Sequence, residues 1–185
     1  MALHKISSFA KSFREDTRGT VAVEAVIMLP ALFWAFMAMS VFFDMYRAQS
    51  TSEKAAFTIS DTLSRETAAV DLNYLDSMHA LYDEMSSLDE VGELRVSVIA
   101  YNPDTQQYFL DWSHSTGDVD NGLTDVDLAD LEDRLPILVA GERLILVETF
   151  GDYNAPVNVG LGEVNMDTFV FTRPRFGPQL AWTNT

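Results

Sequence analysis

Between Ala25 and Phe43 the chain runs for 19 residues without a charge, and Met, Phe, Leu, Ala and Val dominate that stretch. Coiled as a helix it extends about 28 Å, close to the hydrocarbon thickness of about 30 Å, and Thr20–Val23 adds length for tilt. A helix apolar on every face needs protein or lipid around its whole circumference. A chain of 185 residues cannot wrap such a helix and still build a domain of its own, so the run reads as a transmembrane helix rather than a core helix. Pro30 sits inside the run, where it removes one backbone donor and predicts a bend. Membrane helices tolerate such a proline better than soluble ones do.

The flanks set an orientation. Residues 1–19 hold Lys5, Lys11, Arg14 and Arg18 against Glu15 and Asp16, a local net charge of +2. Asp44 follows the run at once, and only Arg47 is basic nearby. The positive-inside rule then expects the N-terminus in the cytoplasm and the remainder outside. A cleaved secretory signal obeys the same charge logic, with Ala38-Met39-Ser40 as its cleavage site, although its apolar stretch is longer than such signals use. From Asp44 onward the chain has 25 acidic and 8 basic side chains, a balance of −17. No clustered Lys/Arg is available to hold phosphates, so nucleic acid is not an expected partner. The membrane is. Cysteine is absent, which removes disulfides, thiolate metal sites and cysteine nucleophiles from consideration.

Glu24 does not suit a plain anchor. It stands at the mouth of the apolar run, where a carboxylate either snorkels to water or finds a partner. Its surroundings read Arg18-Gly19-Thr20-Val21-Ala22-Val23-Glu24-Ala25, then Val26-Ile27-Met28-Leu29-Pro30. A basic stretch, a glycine, a glutamate five positions later and an apolar helix resemble the start of type IV pilin-like precursors. More narrowly, the segment resembles the TadE/TadF-like minor pseudopilins of the tight-adherence (Flp) pilus assembly system, as does Thr172-Arg173-Pro174-Arg175-Phe176 near the C-terminus. The resemblance covers residues 15–50 and, more faintly, that tail.

The resemblance implies a pilin-like arrangement and cleavage after Gly19 by a prepilin peptidase, leaving Thr20 as the new N-terminus. Glu24 becomes the fifth residue of the processed chain, one turn from the new α-amine, and can pair with it on its own or a neighbouring helix. Such a pair fixes register between helices, because removing one partner strands a buried charge at about 3–5 kcal/mol. Ala25 departs from the pattern, standing where pilins of this system and many TadE-like members carry an aromatic residue, which points away from a major pilin. The implied partners are a second minor pseudopilin, the Flp pilin and the inner-membrane assembly platform. The implied location is a bacterial inner membrane, with the C-terminal region periplasmic.

Beyond the membrane run the helical pattern continues. Ala48, Ser52, Ala55, Ile59 and Leu63 recur at three- and four-residue spacing, a narrow stripe that suits packing on the chain's own domain or on another subunit. A second helix is expected from about Leu72 to Met85, with Leu72, Leu75, Met78, Tyr82 and Met85 on one side. After Gly92, Leu94, Val96, Val98 and Ala100 alternate with Arg95, Ser97, Ile99 and Tyr101. Asn102-Pro103-Asp104-Thr105 reads as a turn and Gln107–Trp112 as the returning strand. Thr124, with Asp127 three positions on, predicts a capped helix over about Asp125–Leu135, closed by Pro136. Arg143–Phe150 and Val164–Thr172 are further strands. This order predicts an α+β fold: a transmembrane helix extended into a long helix, packed on a small, mainly antiparallel sheet of about four strands. The expected divisions are a basic cytoplasmic leader (1–19), the transmembrane helix (20–43), a helical stalk (44–90), an α+β region (91–176) and a loose tail (177–185).

No pattern of residues points to catalysis or to a cofactor. His4, His79 and His114 are scattered, and no nucleophile elbow, phosphate loop or zinc-protease signature occurs. The densest acidic stretch, Asp118 to Asp127, fails the EF-hand pattern, since placing its glycine at Gly122 puts Gly117 and Val119 where acidic ligands belong. It reads as a solvated loop, with Asp125 and Asp127 favouring a helix N-terminus. The charged face around Asp83, Glu84, Asp89 and Glu90 reads as solvent-facing. Two functional expectations remain: a minor pseudopilin that works by helix packing, and an uncleaved bitopic scaffold or ligand-binding protein.

Overall fold

The structure, a computed structural model, describes residues 18–86, 88, 92–117 and 122–184. The basic residues Lys5, Lys11 and Arg14, the acidic residues Asp89 and Glu90, and residues 118–121 of the acidic loop lie outside the described residues.

One helix, α1 (Arg18–Arg65), carries both the apolar run and the stalk pattern without interruption, and it passes through Pro30. Its two halves meet different surroundings. Up to Phe36 every side chain described is exposed, whereas Ser52, Ala55, Ala56, Ile59, Ser60, Leu63 and Ser64 are buried. Ser52, Ala55, Ile59 and Leu63 thus face the chain's own core, and Ala48 lies half-buried at the upper end of that stripe. Serines and alanines there let the helix backbone approach the sheet closely.

α1 ends at Arg65, and Asp71 starts the next helix by accepting from the Tyr74 amide at 2.9 Å. That helix, α2 (Leu72–Ser86), buries Leu75, His79, Tyr82 and Ser86, with Met78 and Met85 packed alongside. Leu72, expected on this inward face, is exposed, because the face starts a turn later at Leu75.

The main sheet has four antiparallel strands in the order β2-β1-β3-β6, built from β1 (Glu93–Asn102), β2 (Gln107–Thr116), β3 (Arg143–Phe150) and β6 (Thr168–Thr172). Both central strands are covered on both faces. Leu94, Val96, Val98, Ile145, Val147 and Val170 meet α1 and α2, while Ile99, Leu144 and Leu146 join a second cluster with Leu123, Leu128, Leu135 and Leu138. The alternation read from Leu94 to Tyr101 holds, with Leu94, Val96 and Val98 on the helix side and Ile99 and Tyr101 on the other. The bulge opposite Val98 and Ile99 falls in β2, where their partners Trp112 and Leu110 leave Asp111 between them. α3 (Asp125–Leu131) covers this side and continues as a 3-10 turn, Glu132–Arg134. Its capping box forms as expected: Thr124 Oγ1 accepts from the Asp127 amide and Asp127 accepts from the Thr124 amide.

The stretch Val164–Thr172, expected as one strand, divides in two. Val164–Asn165 (β5) pairs with Asp152–Tyr153 (β4) as a two-stranded ribbon, and only β6 joins the main sheet. The tail is also corrected. Residues 177–184 are not loose: Leu180 is buried in the main core, Trp182 bridges Val70, and the Val70 amide donates to the Ala181 carbonyl at 2.9 Å. The Trp112 indole donates to the Leu180 carbonyl at 2.9 Å. Ahead of this docked tail, Arg175 pairs with Asp61 of α1 at 2.9 Å and Arg173 with Glu142 at 3.3 Å.

Candidate membrane-spanning helix

The candidate site is the free half of α1. Gly19, Thr20 and Glu24 all lie in its first turns, so Thr20 and Glu24, four residues apart, share one side of the helix. A Cβ placed on Gly19 would meet nothing within 4 Å, so the backbone there is open to an approaching partner. Glu24 is exposed and makes no ion pair among the described residues. Pro30 lies six residues further into the same uninterrupted helix.

Around these residues Val21, Val26, Ile27, Leu29, Leu32, Phe33, Trp34 and Phe36 point outward, each more than half exposed. Such a concentration of exposed large apolar side chains marks a surface that meets a membrane or another protein. The segment is long and apolar enough to cross a membrane, and almost none of it is buried within the chain. The domain first grips α1 at Val41, which is buried, and at Asp44, whose Oδ2 accepts from the Tyr153 hydroxyl at 2.8 Å. The folded head therefore begins where the apolar run ends. No flexible spacer separates the two.

The remaining polar groups singled out in the sequence have structural work. His79 is buried, its Nε2 bonded to the Gly92 carbonyl, and lies 3.6 Å from Asp83. Burial raises the Asp83 carboxyl above its ordinary range, and the nearby His79 opposes that rise. His114 stacks on Trp182, with ring centroids 3.8 Å apart. Asp125 accepts from the Leu110 amide at 3.3 Å, and Asp127 is held below the usual carboxylate range by its hydrogen bonds from Thr124. Among the described residues no group of three or more His, Asp or Glu side chains is placed to hold a metal. The contact that sequence reasoning missed is Asp44–Tyr153, which joins residues 109 apart; no local pattern announces it.

Fold and site together define a class: an α+β head carried on one helix that can span a bilayer. No protein-family model matches the chain, and no curated protein or solved structure matches it.

Proposed function

We propose that the protein is a minor pseudopilin of the TadE/TadF-like class, a pilus-assembly component that acts by packing rather than by catalysis. The observation that carries this reading is the division of α1 into an N-terminal half that no described part of the chain covers and a C-terminal half that is the spine of the head. An element built this way is held rigidly by one end and offers the other for lateral association. Helices in lipid associate through close packing and polar contacts rather than through hydrophobic burial, which suits a start bearing Gly19, Ala22, Ala25 and Glu24. In this reading the leader is trimmed after Gly19, the N-terminus lies in the cytoplasm, and the head stands in the periplasm of a bacterial inner membrane. Glu24 pairs with an α-amine created at Thr20, on its own or an adjacent helix. The partners are the second minor pseudopilin, the Flp pilin and the assembly platform.

The second reading, an uncleaved bitopic scaffold, uses the same anchor but assigns Glu24 no partner. Glu24→Ala separates them. The pairing mechanism predicts a protein that still fractionates with membranes while surface pili are lost. Normal piliation in the variant would sink it.

A further inference from the structure

We infer that the cavity beside the point where α1 leaves the apolar run is a headgroup site for a phosphoethanolamine lipid, with Arg47 taking the phosphate and Asp44 the ammonium. The inference rests on α1 crossing the membrane, which both readings above share, and not on the pilus role.

The cavity has a volume of about 460 Å³, well above the ~30 Å³ of a liquid water, and its polar lining includes Asp44, Arg47, Thr51, Tyr153 and Asn154. Its level is the first argument. Arg47 lies four residues beyond Phe43, the end of the uncharged run, and thus about 6 Å further along the helix axis. The headgroup layer outside the hydrocarbon is about 5–7 Å deep on each side. Phe43 and Tyr46 point outward at the same height, where aromatic side chains favour the interface.

Charge is the second argument. Asp44 and Arg47 are three residues apart, so they share one side of α1. Both line the cavity, yet neither forms an ion pair with any described residue. Arg47 is also the sole Lys or Arg between Arg18 and Lys54. The Tyr153 hydroxyl holds Asp44 Oδ2, which fixes the carboxylate and leaves Oδ1 to accept from a further donor. One fixed anion beside one cation is the complement of a small zwitterion whose acid and amine are a short linker apart. The planar guanidinium suits a phosphate, and the Asn154 amide lies in the same lining to donate a second bond. A purely anionic headgroup would meet Asp44 and the 24 further acidic side chains that follow it. A phosphocholine headgroup has no N–H to give Asp44.

The test uses the full chain reconstituted in vesicles of phosphatidylcholine, phosphatidylethanolamine and phosphatidylglycerol in equal parts. Flotation with the vesicles and resistance to alkaline extraction are read first; failure there refutes the membrane reading itself. The inserted protein is then extracted in mild detergent, and retained lipid is counted by native mass spectrometry. Phosphatidylethanolamine is expected in excess over the other two. Arg47→Gln should lower its retention about tenfold, the loss of one charge-assisted contact. Asp44→Asn should keep lipid bound but make phosphatidylethanolamine and phosphatidylcholine equal. Both side chains are exposed, so neither change disturbs the core. Equal retention of the three lipids by the unaltered protein, or undiminished phosphatidylethanolamine on Arg47→Gln, would overturn the site. Displacement of the lipid by inorganic phosphate alone would assign the cavity to a free phosphate and overturn the lipid as its source.

Discussion

At Ser52 and Tyr82 two buried hydroxyls 2.7 Å apart tie α1 to α2. Tyr82→Phe removes one of them and leaves Ser52 to fall back on a carbonyl of its own helix. The expected loss is about 1–2 kcal/mol, seen as a fall of roughly 5 °C in the melting temperature of the full chain in detergent. An unchanged midpoint would mean that the hydroxyl pair contributes nothing net. Asp167 acts in the opposite sense. Burial first, and then the neighbouring Asp152 charge, raise its carboxyl above the ordinary value. A carboxylate with a raised folded-state value is penalised when ionised, so its cost is present above that value and disappears as pH falls through it. Asp167→Asn should therefore raise the melting temperature at pH 7 and do so less at pH 4. A gain of equal size at both pH values would show that charge is not the cause. Such effects are invisible in sequence, because Asp152 and Asp167 are brought together only by the β4–β5 ribbon.

At the scale of elements, the local signals and the distant ones part company. α2, the capped α3, the β1–β2 turn and β3 follow from periodicity, capping and turn chemistry read over a few residues. Asn102 Oδ1, for example, accepts from the Asp104 amide at 2.9 Å, as an Asn-Pro-Asp turn should. The splitting of Val164–Thr172 and the docking of the tail depend on partners far away in sequence, Asp152–Tyr153 for one and Val70 with Trp112 for the other. Leu180 and Trp182 carried an apolar hint of that docking, but nothing nearby indicated a surface to receive them. The tail is a structural element. Leu180→Ala, at a fully buried position in the main core, should destabilise the head by about 2–5 kcal/mol. It should also alter the fluorescence of Trp112 and Trp182, whose rings lie 5.1 Å apart against this segment. A loss under 0.5 kcal/mol with unchanged emission would return residues 177–184 to the status of a loose end.

For the molecule as a whole, one helix does two jobs that follow from its two compositions. Where α1 is apolar all round it stays outside the head, and where it narrows to a stripe of Ser, Ala, Ile and Leu it becomes the spine of the α+β core. That division was legible in the sequence, since 19 uncharged residues followed by a one-sided pattern allow few other arrangements. The contact of Asp44 with Tyr153, which seats the head directly against the end of the apolar run, was not. In the proposed reading, a head seated so close to the end of the apolar run would turn any lateral packing of α1 into a defined placement of its neighbours outside. The proposal of a processed, pilin-like subunit depends most on what happens at Gly19. Intact mass and N-terminal sequence of the protein extracted from its native membranes decide that point. The prediction is a chain that begins at Thr20; a chain that still begins at Met1 or Ala2 would contradict the processing, and one that begins near Val41 would contradict the anchor itself.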